Sequence, residues 1–213
     1  MNQLPTWSTD SIPWDLLLQE AKYRLRTSDA WVPTARRSQN VTSGWIDHCP
    51  VRIYRADLDV GRSAADVAHW LADDMFVHLG KWNREYLHGE IMRCLWNEPD
   101  DRAWLMRVIY HTPPPLADRE YVYALRRVDD DDGHWILYQS VSDGPPVPAG
   151  CERGILSGTV HHVQPAQGGC HVRHLLITDL GGSLPLWVQN HVFAPGVVAA
   201  NRRDLAAQAR LLQ

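Results

Sequence analysis

The sequence predicts an α+β fold in which a long antiparallel meander is flanked by helices. Two observations carry this. From about residue 89 to 180 the chain reads as successive strand-like segments separated by short turn sequences, which favours antiparallel neighbours. Helical patterning is confined to residues 14–26, 63–86 and 184–212. Composition agrees: 213 residues with 45% hydrophobic and 22% charged is an ordinary globular balance that argues against disorder. No low-complexity or linker-like stretch divides the chain, so one domain over residues 1–213 is expected.

The elements follow in order. Residues 14–26 place Trp14, Leu17, Leu18, Ala21 and Leu25 at helical spacing, and Pro13 suits a helix start. Strands are expected around 30–33, 44–47 and 51–58. Ser63 is a good N-cap for the amphipathic segment AADVAHWLADD, with Ala64, Val67, Ala68 and Leu71 on its buried face. Residues 75–86 read as a second short helix or an irregular connector. The strands of the meander are expected at 90–96, 103–111, 120–128, 134–142, 152–163 and 171–180. Turn chemistry separates them, as in Asn97-Glu98-Pro99-Asp100 and the Asp129 to Gly133 run. The chain closes with a helical segment over 184–212 in which Pro195-Gly196 predicts a kink.

Several function classes are excluded. A net charge of −4 with a pI near 6.2 argues against a broad basic face for nucleic acid. The four cysteines are far apart, with no CxxC pair and no dense disulfide framework. Residues 181–201 carry no charge, yet Gln189, Asn190, His191, Asn201 and two prolines would be unsatisfied in lipid, so a soluble protein without a signal peptide is expected. His161, His162, Cys170, His171 and His174 cluster without metal-ligand spacing, and no metal site is assigned to them. The Asp129 to Asp132 run lacks the spacing of a calcium loop and reads as a solvated hairpin turn. No GxSxG, Walker or GxGxxG motif is present, so no catalytic residue is assigned. Ten tryptophans and seven tyrosines against two phenylalanines suit walls that touch both core and ligand.

The run PPPLADREYVYALRR (113–127) resembles the signature of the START (StAR-related lipid-transfer) domain family, with Arg119, Glu120, Tyr121 and Val122 at its motif positions. DLGGSLPLWVQN (179–190) resembles the family's approach to its terminal helix, and Trp82 in HLGKWNRE resembles the Trp after its two short helices. The resemblance spans roughly residues 15–212. It implies a helix-grip fold: a curved antiparallel sheet wrapped around a long C-terminal helix, enclosing a ligand tunnel, with residues 143–150 covering the entrance. Leu125 stands where some steroid-binding members carry an arginine, which weakens a sterol-specific reading.

Strand alternation then nominates the tunnel wall. Trp104, Met106, Val108 and Tyr110 form the charge-free face of one strand, and Tyr121, Tyr123 and Leu125 that of the next. A buried unpaired charge is costly, so these faces should point inward. Trp187 and His191 are expected to roof the tunnel from the terminal helix. Arg119 and Glu120 are expected to brace the loop entering the strand. The resulting expectation is a non-catalytic, monomeric, cytoplasmic protein that needs no cofactor, binds and transfers one lipid or other hydrophobic small molecule, and touches membrane surfaces transiently. The rival is a helix-grip enzyme of the polyketide cyclase or aromatase type, using tunnel tyrosines and histidines as acid–base groups.

Overall fold

The computed structural model describes residues 4–27, 31–33, 41–45 and 49–193, together with Arg203, Ala207 and Arg210, which are helical. The amphipathic stretch at the N-terminus forms α1 (Trp14–Arg26), burying Trp14, Leu17, Ala21 and Leu25 as its periodicity requires. Short strands β1 (Trp31–Pro33) and β2 (Val41–Gly44) lead to β3 (Ile53–Val60). Ser63 then caps α2 (Ala64–His69), its side chain accepting from the Asp66 amide at 3.2 Å. The chain stays helical through a π turn (Trp70–Asp74), α3 (Met75–His78) and a 3-10 turn (Leu79–Lys81).

The meander follows as β4 (Tyr86–Asn97), β5 (Asp101–Tyr110), β6 (Asp118–Asp130) and β7 (Gly133–Ser140), then β8 (Cys151–Arg153), β9 (Ile155–Ala166) and β10 (Gly169–Asp179). These strands form one curved sheet in the order β1-β2-β3-β10-β9-β7-β6-β5-β4. Hairpins explain the neighbours from β4 to β7 and the β9–β10 pair. By contrast, β3 docks against β10, more than a hundred residues later, with Ile53 opposite Ile177 and Val60 opposite Cys170. Every pairing between these strands is antiparallel except that of β8 with β6, and Trp7 adds an isolated parallel bridge to Val141.

Two sequence expectations change here. Residues 152–163 are not one strand, because the chain breaks at Gly154. The Gly154 amide donates to the Glu120 carbonyl, and a Cβ at this position would run into the Tyr121 ring. The expected strand at 44–47 lies earlier, at Val41–Gly44, and residues 46–48 fall outside the described set. Near the C-terminus, α4 (Leu186–Val188) continues into a π-helical turn, Gln189–Phe193. The kink expected at Pro195-Gly196 lies outside the described residues.

Both faces of the sheet are covered. The outer face buries Val122, Ala124, Trp135, Leu137, Val160 and Leu175 against α1. The inner face carries Met106, Val108, Tyr121, Tyr123, Leu125, Ile136, Tyr138, Val163 and Val172 and meets Val67, Leu71, Met75 and Phe76 of the helical run. This two-sided burial is why β6 and β7 are almost continuously buried instead of alternating between core and solvent.

Candidate ligand-binding site

The inner face is assembled by register. Trp104 lies opposite Leu125, Met106 opposite Tyr123, and Val108 opposite Tyr121, so the two nominated strand faces form one surface. Tyr110, Tyr121, Tyr123 and Tyr138 continue it as an aromatic row. Tyr110 meets Tyr121 edge-on at 6.0 Å between centroids, and Tyr123 lies 5.8 Å from Tyr138. Burial raises the Tyr121 hydroxyl above the usual phenol range and holds those of Tyr123 and Tyr138 well above it, so all three remain protonated donors at neutral pH. Thr178 Oγ1 donates to Tyr121 Oη at 3.4 Å. Tyr123 Oη has no hydrogen-bond partner among the described residues and is not sealed off.

Charge bounds this face at its two ends. Alternation puts Arg119 on the same side as Tyr121, where it is 2% exposed. It pairs with Glu152 at 3.2 Å and donates to the Ala117 carbonyl. At the other end Arg127 holds Asp129 through two hydrogen bonds of 3.0 and 2.7 Å. Between Arg119 and Arg127, about 26 Å along the strand at ~3.3 Å per residue, β6 presents only Tyr121, Tyr123 and Leu125 inward.

Arg119 and Glu120 do not pair with each other, because successive residues of a strand point to opposite faces. Glu120, fully buried outside, accepts from Arg107 Nε at 2.7 Å and from Arg153 Nε at 2.8 Å. Arg153 also donates to the Pro145 carbonyl at 2.7 Å, and Asp143 accepts from the Thr9 amide and hydroxyl at 3.0 and 2.9 Å. The loop over 143–150 is thereby tied to the sheet and to the N-terminal segment, while Val147 at its tip is exposed.

Trp187 and His191 are not brought to the inner face. Both are exposed on one side of α4 and its π turn. The opposite side is turned inward by buried amides. Gln189 Nε2 donates to Asp179 Oδ1 at 2.8 Å, and its Oε1 accepts from the Leu180 amide at 2.9 Å. Asn190 accepts from the Arg52 amide at 2.8 Å and donates to the Pro50 carbonyl at 3.0 Å. These paired polar groups set the helix rotation more firmly than the apolar spacing does.

Sequence reasoning missed three polar side chains of the inner face. His161 and His174 lie directly opposite each other on β9 and β10, their rings stacked 4.1 Å apart and nearly parallel. His161 Nδ1 is 3.1 Å from Tyr138 Oη. Burial pushes the His174 pKa down to about 4 and that of His161 well below the usual imidazole range, the neighbouring ring adding to the effect on His161. Tyr138 could have been found by extending the alternation through Ile136 and Ser140. The adjacent His161 and His162 could not be assigned to faces, since one must point each way.

The other two histidines of the cluster, His162 and His171, serve the scaffold. His162 stacks on Trp135 at 3.6 Å on the outer face, and His171 pairs with Asp59 at 2.7 Å. The acidic run is more than a solvated turn. Lys22 reaches Asp130 at 2.6 Å and Arg26 reaches Asp132 at 2.9 Å, pinning α1 to the β6–β7 hairpin. Among the described residues no group of three or more His, Cys, Asp or Glu is placed to hold a metal ion. Nor is any helix among them long and apolar enough to cross a membrane.

A curved antiparallel sheet with this strand order, covered outside by an N-terminal helix and lined inside by apolar and aromatic side chains, defines a protein of the helix-grip class. The chain belongs to the START domain family, whose model matches residues 15–211. Among solved structures it is similar to human StAR-related lipid transfer protein 5, with a TM-score of 0.74 and 18% identity over 92% of this chain and 94% of that one. It is also similar to a STAR-related lipid transfer protein fragment from Xanthomonas axonopodis, with a TM-score of 0.67 and 21% identity over 86% of this chain and 99% of that one. At such identities the likeness establishes the fold. No curated protein matches the chain in sequence.

Proposed function

We propose that the domain binds one lipid-like molecule against the inner face of its sheet and carries it between membranes as a monomer in the cytoplasm, without chemical change. The observation that carries this reading is the lining of β5 and β6. Seven side chains, Trp104, Met106, Val108, Tyr110, Tyr121, Tyr123 and Leu125, form one uncharged surface whose ends are closed by paired charges. Transferring an apolar molecule onto such a surface is favoured by ~25 cal/mol per Å² of apolar area removed from water. Membership of the START family and the likeness to lipid transfer proteins support the same reading.

A non-catalytic role is favoured by the state of the inner-face tyrosines. Their pKa values are raised by burial, which makes them poor general bases at neutral pH and suitable hydrogen-bond donors to a bound molecule. Native mass spectrometry of the domain purified from cells, followed by incubation with lipid vesicles, tests the reading. A stoichiometric adduct that is released intact on denaturation is the expected result. A domain that acquires no apolar adduct from cells or vesicles, or that returns its adduct chemically altered, would overturn it.

A further inference from the structure

The inner face carries one polar feature that an apolar tunnel does not need. His161, His174 and Tyr138 form a connected group in the interior strands of the sheet, spanning β7, β9 and β10. Core packing would be served as well by aliphatic residues, and each buried polar atom must be satisfied or left at a cost. The group is only partly satisfied. Tyr138 Oη meets His161 Nδ1, but His161 Nε2 and both ring nitrogens of the half-buried His174 have no partner among the described residues. None of these three nitrogens is fully enclosed.

Hydrogen-bond bookkeeping fixes what they offer. The protonated Tyr138 hydroxyl has no other acceptor among the described residues, so it donates to Nδ1 and leaves His161 with its proton on Nε2. Neutral His174 holds one N–H and one bare nitrogen. The pair therefore presents donors and an acceptor side by side, in neutral form. Among the described residues no countercharge lies beside it. The nearest charged residue along its register row, Arg127, lies two strands away beyond Ile136 and is already closed on Asp129.

We infer that His161, His174 and Tyr138 are the polar subsite of the ligand tunnel and select a lipid whose buried polar group is an uncharged hydroxyl. A hydroxyl accepts from His161 Nε2–H and donates to the bare nitrogen of His174, engaging both rings at once and leaving only the His174 N–H open. A carboxylate, phosphate or ammonium would enter the same place without a partner of opposite charge, and burying an uncompensated charge is strongly disfavoured. The inference rests on the lipid-binding reading above and narrows it to a class of cargo.

The test uses the full chain and two probes of equal length, hexadecan-1-ol and hexadecanoate, each displacing a fluorescent apolar reporter at pH 7.5. The alcohol should displace the reporter at a concentration about tenfold lower than the carboxylate, a difference on the scale of one or two hydrogen bonds. His174→Leu should weaken hexadecan-1-ol binding about tenfold relative to the variant's own reporter affinity, and His174→Asn, which keeps a donor and an acceptor, should retain part of that binding. His174 is chosen because it is only half-buried, and the melting temperature of each variant is read alongside. Equal displacement by both probes, or unchanged hexadecan-1-ol binding in folded His174→Leu, would overturn the subsite while leaving lipid binding in place. Failure of the reporter and both probes to bind would remove the lipid reading and the subsite with it.

Discussion

The two faces of the sheet differ in how their central polar groups are engaged, although His162 Nδ1 on the outer face is buried without a partner among the described residues. On the outer face, Glu120 has no exposed surface, yet both carboxylate oxygens are engaged, one by Arg107 and the other by Arg153. Trp135 there donates to Asp130 at 3.1 Å and lies under the Lys22 ammonium. On the inner face, the Tyr123 hydroxyl and the His174 ring nitrogens have no hydrogen-bond partner among the described residues. A scaffold gains from closing its polar groups on one another. A binding surface must keep some open, because a group already satisfied cannot recognise anything. The difference teaches that substitutions outside should be read in stability and substitutions inside in binding.

The largest effect is expected at Glu120. Glu120→Ala would remove the buried carboxylate on which two part-buried guanidinium groups converge, leaving Arg107 with Glu90 and Arg153 with the Pro145 carbonyl, and the cost should be about 3 kcal/mol in urea unfolding. A loss below about 1 kcal/mol would show that Arg107 and Arg153 find other partners, and the outer network would not be the brace described here.

Acid comes next. His162 lies on the outer face with its pKa pushed down by burial to about 4, against about 6.5 in the unfolded chain. The unfolded state therefore binds the proton first. The stabilisation from keeping this ring neutral is complete above about pH 6.5 and is lost as pH falls towards about 4. Between pH 7 and pH 5 the loss should be about 2 kcal/mol for His162, and His161 and His174 act in the same direction. His162→Gln should flatten the pH dependence of unfolding measured across that range. Saturation with ligand should reduce only the part that belongs to the inner pair.

Gly154→Ala probes the junction between the faces. The new methyl would press on the Tyr121 ring where β8 gives way to β9, and overpacking of this kind costs about 1–3 kcal/mol. Differential scanning calorimetry should show a lowered melting temperature. An unchanged value would mean that the ring moves aside freely.

The smallest change should come from Tyr123→Phe. Its hydroxyl has no partner among the described residues, so stability should stay within about 0.5 kcal/mol of the parent. Ligand affinity should fall by about 0.5–1.5 kcal/mol if the hydroxyl binds cargo. Equal and substantial losses in both would erase the contrast between the faces at this position.

The sequence by itself determined most of the elements and gathered one half of the candidate site. Period-3.6 spacing located α1, Ser63 marked the start of α2, and turn chemistry separated the strands of the meander to within a few residues. Alternation along β5 and β6 was enough to gather Trp104, Met106, Val108, Tyr110, Tyr121, Tyr123 and Leu125, because consecutive hairpin strands keep their faces aligned. The tertiary structure decided what depends on partners distant in sequence. Only the docking of β3 on β10 closes that side of the sheet, and no local pattern encodes a pairing between residues 53 and 177. The break at Gly154 depends on the Tyr121 ring, more than thirty residues earlier. The outward turn of Trp187 and His191 depends on Gln189 and Asn190 finding Asp179 and the backbone before β3. The His161–His174 stack needs the β9–β10 register, and a pair of adjacent histidines gives no clue which one faces inward. Short-range periodicity fixes direction along one element, whereas burial and hydrogen-bond satisfaction are properties of the whole assembled core.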